Sequence, residues 1–456
     1  MSLHSLTAIS PLDGRYHKKV STLGQYFSEY ALIKYRVRVE VLYLLALCEA
    51  NLAPLSTLSS EEKTFLESIY TDFTPEQAEK VKKIEAVTNH DVKAVEYFIK
   101  EAIEQSGLAG LQKKKEFVHF GLTSQDINNT AIPLMLKEGL EQEVLPTLVQ
   151  LISLLSQKAS EWKTVPMLAR THGQVATPTT MGKEIAVFVN RLLDLLQELD
   201  SHPFPAKFGG ATGNLNAHYI AYPEYDWNTF SAKLLKEKLG LVRSVPTTQI
   251  EHYDGLGRIF DTLKRINTVL IDLCQDIWLY VSRDYFLQKR VKGEVGSSTM
   301  PHKINPIDFE NAEGNCGLST AMLEYLSRKL PISRLQRDLT DSTVLRNIGV
   351  GIGYAYLAYT SILKGLSKIT INREVVEGEL EANWIILAEA VQTILRREQF
   401  DQPYEILKAF TQGKQSLSQE DYLQFIQTLE VSEAVKEELS SLRPSTYLGN
   451  AHDWPA

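Results

Sequence analysis

The segment from Gly293 to Glu313 contains the side chains of this chain that are best suited to chemistry. Its glycines and prolines exclude a regular helix or a central strand from its first half. Ser297 and Ser298 provide two hydroxyls. Three further polar groups of the segment are the imidazole of His302, the ammonium group of Lys303 and the amide of Asn305. Paired hydroxyls and a lysine on a glycine-bounded loop are typical of a lid that closes over an anion. The alternative is a surface loop before a helix, with Asn305 as N-cap and Pro306 as first helical residue.

A histidine occupies a second turn-rich stretch, between Pro166 and Pro178, in the order Thr171-His172-Gly173-Gln174. Histidine can accept or release a proton near neutral pH. A neighbouring glycine lets a ligand approach the backbone closely. From these residues alone, His172 is either a general acid–base or a histidine with a structural role.

Two predicted helix starts offer polar groups that could bind an anion. Thr123 stands three residues before Asp126, which is the spacing of a capping box, and Ser124 follows directly. A helix N-terminus flanked by hydroxyls is a ready anion site. Thr88-Asn89-His90-Asp91 opens a second helix, predicted to extend to about Glu104. The alternative for both segments is a capped helix that binds no ligand.

The elements that must position these groups are long helices. Apolar residues recur at spacings of three and four from 256 to 281, over about seven turns, and again at 145–155 and 185–199. Helices of this length need packing partners along their whole length, which favours a bundle. Alternating β-branched runs are scarce. The sequence therefore predicts an all-α fold.

We predict three helical domains: an N-terminal domain over 1–116, a central long-helix bundle over 117–367 and a C-terminal domain over 368–456. The central domain would carry the motif-rich segments as loops between its long helices, at 117–124, 166–178, 207–217 and 293–306.

Composition narrows the class of protein. Hydrophobic residues make up 44% of the 456 residues, which is enough for a large core. A net charge of −8 with interspersed signs argues against a nucleic-acid partner. Three distant cysteines form neither a disulfide framework nor a metal pattern. No signal peptide or membrane-spanning run is expected, so the sequence predicts a cytoplasmic protein without a membrane partner.

Several blocks resemble the fumarase/aspartase superfamily. The superfamily signature matches Gly296-Ser297-Ser298, Met300-Pro301, Lys303 and Asn305-Pro306, and an ordered match of this length is highly specific. ARTHGQ around His172 and FGLTSQD around Thr123 resemble two further blocks. The resemblance implies a lyase that eliminates fumarate from a substituted succinate without a metal or a cofactor.

Other blocks resemble the branch of the superfamily that acts on purine nucleotides. They are Arg15-Tyr16, TNHDV at 88–92, His302 before Lys303, and RDLTDSTVLR at 337–346. Arginine suits both the phosphate and the carboxylates of such a substrate. The implied reactions are adenylosuccinate to AMP and SAICAR to AICAR, each with release of fumarate. The alternatives are argininosuccinate lyase, fumarase or aspartase, and a non-catalytic, crystallin-like homologue.

Residue roles follow from the resemblance position by position. Ser297 resembles the family's general base, and His172 resembles its general acid. Lys303 and Asn305 would bind the carboxylate on which charge grows. The other substrate-binding residues that it implies are Arg15, Tyr16, Asn89, His90, Asp91, Thr123, Ser124, Gln249, Ser298, Asn311, Arg337, Ser342 and Arg346. His119 and Glu310 are implied only as residues that orient other groups.

The resemblance also implies a homotetramer with shared active sites. Blocks 117–126, 171–174 and 296–305 of three different subunits would meet at each site. The apolar stripe at 256–281 is longer than one chain needs to cover its own core, which favours helices that pair across subunits.

Overall fold

The computed structural model of the protein describes residues 4–55, 57–289, 299–300, 302–413 and 417–454. Ser297 and Ser298, the predicted base and its neighbour, lie outside these described residues. The chain divides into two compact units. The first unit comprises Met1–Leu148, Leu195–Thr268 and Gly314–Tyr359, and the second comprises Val149–Asp194, Val269–Glu313 and Thr360–Ala456.

Helices dominate both units, so the predicted all-α fold class is confirmed. The helices are α1 His17–Val20, α2 Gly24–Phe27, α3 Glu29–Glu49, α4 Ser60–Thr71, α5 Pro75–Thr88, α6 Asp91–Gln105, α7 Ala109–Gln112, α8 Ser124–Gly139, α9 Leu145–Glu161, α10 Met181–Ser201, α11 Asn216–Ala221, α12 Trp227–Lys233, α13 Asp254–Ser282, α14 Ile307–Lys329, α15 Thr340–Leu345, α16 Ile348–Leu366, α17 Arg373–Glu381, α18 Ala388–Arg397, α19 Pro403–Thr411, α20 Gln419–Thr428 and α21 Glu433–Ser441. None of the described helices is both long and apolar enough to cross a membrane.

Short strands form three two-stranded sheets. They pair as β1 Pro166–Thr171 with β2 Gln174–Thr180 (antiparallel), β3 Pro205–Ala206 with β4 Val242–Arg243 (parallel), and β5 Phe286–Gln288 with β6 Ile369–Ile371 (antiparallel).

Three long helices, α9, α10 and α13, follow the predicted apolar stripes. α13 covers the stripe at 256–281, and Leu256, Ile259, Phe260 and Leu263 on it are each at most 1% exposed. α9 and α10 cover the other two stripes. The π-helical turn Leu140–Val144 joins α8 to α9 without a break. The period of the apolar residues therefore located these helices correctly.

Helix α3 is buried on nearly all sides. Its second half is apolar from Val41 to Cys48, and Ser28 caps the helix by accepting a hydrogen bond from the Ala31 N–H at 3.1 Å. Two of its buried residues, Arg36 and Glu40, are ionisable. A buried charge needs a partner, so both residues point to tertiary contacts that the apolar pattern does not reveal.

The prediction that 166–178 is a loop is wrong. Strands β1 and β2 form an antiparallel hairpin whose two turn residues are His172 and Gly173, at φ +54° and +74°. Positive φ at both positions is typical of the type I′ turn that suits a two-residue hairpin. Proline normally argues against strand, but Pro166 begins β1, and Pro178 lies in a sheet of only two strands, where such residues are tolerated.

The helix after the 293–306 segment starts one residue later than predicted. α14 begins at Ile307, and the Pro306 carbonyl accepts hydrogen bonds from the N–H groups of Phe309 and Glu310 at 3.0 and 3.2 Å. Pro306, rather than Asn305, is therefore the N-cap residue.

The C-terminal helices have a core of their own. Trp384, Leu387, Val391, Tyr422 and Ile426 are buried together among α18, α20 and their neighbours. The predicted domain boundaries at 116/117 and 367/368 stay predictions.

Candidate active site

Four of the predicted site residues line one cavity in the first unit. His90, His119, Thr123 and Ser124 surround a space of about 420 Å³, together with Thr88, Lys93, Glu96, Tyr97 and Leu122. His90 is the N-cap of α6, and Thr123 directly precedes α8. Two helix N-termini, each the positive end of a helix dipole, thus lie beside the same cavity.

Both N-termini are held by side-chain caps. The His90 Nδ1 accepts a hydrogen bond from the Lys93 N–H at 3.0 Å. The Thr123 N–H donates to Asp126 Oδ2 at 2.8 Å, as the predicted capping pair requires. Asp126 also pairs with the buried Lys207 at 2.8 Å and accepts from the Gly209 N–H at 2.8 Å. Its carboxylate therefore fixes the start of α8 against the 207–210 segment, which the local spacing alone does not predict.

His119 is tied to a buried carboxylate. Its Nδ1 lies 2.6 Å from Oε1 of Glu40, and its backbone has a φ of +62°. Burial lowers the pKa of His119, but the charge of Glu40, their hydrogen bond and the charges of Glu96 and Asp126 outweigh it. The pKa is raised as a result.

A network of ion pairs links α6 to the predicted phosphate-binding residues. Asp91 accepts from Arg36 at 2.7 Å and lies 3.4 Å from Nη2 of Arg346. The Nη1 of Arg346 also donates to Ser342, at 2.8 Å to both its carbonyl and its hydroxyl. Burial acts to raise the pKa of Asp91, but the charge of Arg36 and the N–H of Val92 oppose it, and the pKa is lowered.

A cavity of about 250 Å³ lies against this network. Much of its lining is apolar, from residues such as Leu32, Ile132, Met135 and Leu345. Its polar lining comes from Ser28, Glu29, Arg36, Gln125, Asn128, Ser342 and Arg346. Arg36 is only 2% exposed, and its Nε donates to Asn128 at 2.8 Å. Asn128 and Asp91 thus position the guanidinium group of Arg36, and Asp91 and Glu29, at 3.4 and 3.6 Å, are the acidic partners of Arg346.

Gln249 and Arg337, both predicted site residues, are in contact. Nη1 of Arg337 donates to Oε1 of Gln249 at 3.3 Å, and Nε2 of Gln249 donates to the Ala211 carbonyl at 3.0 Å. With its amide turned to satisfy the hydrogen bonds, Gln125 accepts from Nε of Arg337 at 3.1 Å. Gln125 follows Ser124 directly, so these contacts place Arg337 near the start of α8.

The remaining predicted residues of the first unit lie at chain turns. Asn89 ends α5 in the left-handed conformation, at φ +51°, and its N–H donates to the Glu85 carbonyl at 2.7 Å. Arg15 and Tyr16 precede α1, with the guanidinium 5.8 Å from the centre of the tyrosine ring. Arg15 forms no ion pair with any residue in the described part of the chain.

The second unit contains the other predicted residues. His172 is exposed at the tip of the β1–β2 hairpin, and Lys303 is exposed ahead of α14. Asn305 is half-buried. Glu310 accepts from the Trp278 indole at 3.2 Å, and Asn311 accepts from the Ser361 hydroxyl at 3.0 Å.

The hairpin that presents His172 is anchored through its first strand. Arg170 forms an ion pair with Glu379 of α17, which also accepts from Arg283 at 2.5 Å and from the Tyr285 hydroxyl. These contacts hold β1 two residues before the histidine.

Arg36, Glu40 and Gln125 were missed from the sequence as members of the site. The available signal was an arginine and a glutamate four residues apart in α3, just before its apolar run from Val41 to Cys48. Such residues face the same side of a helix and need polar partners when buried.

Two family models match the chain, one described as lyase over residues 14–318 and one as adenylosuccinate lyase C-terminal over residues 333–448. Adenylosuccinate lyase of Dictyostelium discoideum is 54% identical over 461 aligned residues, covering 100% of this chain and 99% of that protein. The Escherichia coli K12 enzyme of the same name is 48% identical, covering 99% and 98%.

Solved structures show the same fold at low identity. The 3-carboxy-cis,cis-muconate lactonizing enzyme of Pseudomonas putida superposes with a TM-score of 0.72 at 22% identity, covering 95% of this chain and 94% of that one. A fumarate lyase from Mesorhizobium sp. BNC1 also has a TM-score of 0.72, at 19% identity, covering 95% and 96%.

Proposed function

Because this chain belongs to the adenylosuccinate lyase family, we propose that it splits adenylosuccinate into AMP and fumarate. SAICAR, which bears the same succinyl group on a nitrogen, is proposed as its second substrate, with AICAR and fumarate as products. The observation that supports this best is the similarity to enzymes of that name over the whole chain. A cytoplasmic role in purine nucleotide synthesis is part of the proposal.

The proposed reaction is an elimination with separate acid and base. Ser297 takes a proton from the carbon beside a substrate carboxylate, and the electron pair left behind moves onto that carboxylate. This pair then forms the carbon–carbon double bond of fumarate as the carbon–nitrogen bond breaks, while protonated His172 gives its proton to the leaving nitrogen. A serine hydroxyl is a weak base at its free pKa, so its surroundings must activate it.

The charge that develops on the carboxylate makes the largest contribution to the activation free energy of such a reaction. Removal of the adjacent proton places a second negative charge on this group. Donors that already point at the growing charge lower the barrier most. We assign this task to Lys303 and Asn305, with Ser298 as a further substrate contact.

The first unit offers separate sets of residues for the succinyl part and for the phosphate of the substrate. Thr123, Ser124 and Gln249 would bind the succinyl part, since the first two lie at the start of α8 beside a cavity of about 420 Å³. Arg15, Tyr16, Arg337, Ser342 and Arg346 would bind the phosphate. His90 would lie near the purine, with Asn89 and Asp91 shaping that region.

We further propose a homotetramer whose sites combine residues of different chains. The long helices expose large apolar side chains, which favours burial against other subunits. Examples at 42–54% exposure are Val187, Leu193, Trp278, Leu279, Leu318 and Tyr325.

A panel of substrates tests the proposed function. Purified protein is assayed for fumarate release from adenylosuccinate and SAICAR, and in parallel from argininosuccinate, malate and aspartate. Fumarate is expected only from the two nucleotide substrates. Release only from a non-nucleotide substrate would instead identify another lyase of the superfamily, and no release from any substrate would favour a crystallin-like structural role.

Arg337→Ala is expected to weaken substrate binding by roughly 2–5 kcal/mol, because a charge-assisted contact with the nucleotide is lost. KM should rise far more than kcat falls. Arg334→Ala is the matched control, since Arg334 is an exposed arginine of the same segment that pairs with Asp338 at 3.6 Å. An unchanged KM together with a lower melting temperature would show that Arg337 is structural.

A further inference from the structure

Glu40 is a buried carboxylate that pairs with no lysine or arginine among the described residues. It lies on α3, is fully buried, and places Oε1 2.6 Å from Nδ1 of His119. Its Oε2 is also buried and has no hydrogen-bond partner within the described residues. Leaving a buried carboxylate this poorly satisfied is costly. The imidazole is therefore the principal partner of the Glu40 charge.

The backbone conformation of His119 and the hydrogen bond of its Nδ1 together fix the orientation of the imidazole. Its backbone adopts a φ of +62°, which is unusual for a residue other than glycine. Its Nδ1 is occupied by Glu40, whereas its Nε2 makes no hydrogen bond within the part of the chain that the structure describes. The side chain is 17% exposed and lines the cavity that Thr123 and Ser124 also line.

The other carboxylates near His119 already have cationic partners. Glu96 on α6 pairs with Lys93 at 2.8 Å and with Lys100 at 3.1 Å. Asp126 on α8 pairs with Lys207 at 2.8 Å. Among the three carboxylates that act on His119, only Glu40 lacks a lysine or arginine partner among the described residues. Glu40 is thus the group best placed to stabilise a positive charge on the imidazole.

We propose that Glu40 is a positioning residue, which holds His119 so that a protonated Nε2 faces the cavity and binds a carboxylate of the substrate. The inference rests on the proposed function, because adenylosuccinate supplies the carboxylate. The N–H groups at the start of α8 and the hydroxyls of Thr123 and Ser124 would contact the same anionic group. A purely structural pair that ties α3 to the 117–123 segment is the competing explanation.

The substitution Glu40→Gln tests the role of the charge. Glutamine keeps the size and the oxygen acceptor, but it no longer stabilises the imidazolium, so the pKa of His119 should fall. The alkaline limb of the kcat/KM profile for adenylosuccinate should then move to lower pH. Between the new and the old pKa of His119, kcat/KM should fall by up to about tenfold per pH unit, chiefly through KM.

Glu138→Gln is the matched control. Glu138 is a half-buried carboxylate that pairs with Arg38 at 2.8 Å and does not line this cavity. This variant should keep the wild-type pH profile. An unchanged Glu40→Gln profile, or a loss that is equal at every pH, would overturn the inference. Wild-type protein that releases no fumarate from adenylosuccinate would overturn the proposed function instead.

A measurement on the unaltered protein covers the case in which Glu40→Gln does not fold. Histidine-labelled wild-type protein is titrated by NMR, and the His119 signal is assigned by its absence in His119→Gln. We expect a pKa above the usual value of about 6.5 and, after deprotonation, a proton on Nδ1. A pKa at or below that value would contradict the role of Glu40.

Discussion

Replacing either proposed proton-transfer residue is expected to lower kcat on adenylosuccinate by at least about 100-fold, the usual scale for a lost acid or base. The variants are Ser297→Ala and His172→Asn. Asparagine followed by Gly173 is a favoured pair for a type I′ turn, so the second variant keeps the hairpin while removing the imidazole. Steady-state fumarate release gives kcat for each protein.

The control is His4→Asn, which removes another exposed histidine and should leave kcat unchanged. Melting temperatures should stay close to wild type, because His172 is exposed at a turn and contributes little to a core. Near-wild-type turnover in the Ser297 or the His172 variant would remove that residue from its assigned role.

Two inactive variants are expected to restore each other's activity when their subunits exchange. In the proposed tetramer, the serine and the histidine of one site come from different chains. A mixture of Ser297→Ala and His172→Asn subunits would therefore contain sites with both residues intact. With equal amounts and random assembly, roughly one site in four is restored.

The test dissociates the two variants under mild conditions, mixes them, reassembles them and measures fumarate release. Each variant taken alone through the same procedure is the control and should stay inactive. Mass spectrometry on differently tagged subunits verifies that mixed tetramers form. Verified mixed tetramers that are as inactive as their parents would show that both residues of a site belong to one chain.

Local sequence patterns predicted several helices because the face that a helix buries is visible in the spacing of its own apolar residues. The apolar stripe at 256–281 coincides with α13, and the segment from Thr88 marks the start of α6 within three residues. Each of these signals depends on neighbours in sequence: a period of 3.6 residues, or a cap within one turn.

The hairpin at His172 was missed for a related reason. Prolines at 166 and 178 weaken the strand signal, whereas the structure accommodates both in a two-stranded sheet. Pairing between strands supplies the stability that neither segment shows alone.

The polar contacts of the site were the least predictable part. Asp91 looks like an ordinary first residue of a helix, yet it pairs with Arg36 and lies close to Arg346, far away in sequence. Asp126 looks like a cap and is also the partner of Lys207. Such pairs form only when distant segments meet in the folded chain. A single sequence shows that a charged residue in apolar surroundings needs a partner, but it does not show which residue that partner is.

The most direct test of the account is a product balance on adenylosuccinate. Purified wild-type protein is incubated with this substrate, and AMP and fumarate are quantified over time, with Ser297→Ala from a parallel preparation as the blank. We predict equal amounts of the two products from the wild type and at most about one hundredth of that rate from the variant. Release of fumarate without AMP would contradict the proposed reaction, and equal turnover by both proteins would contradict the role of Ser297.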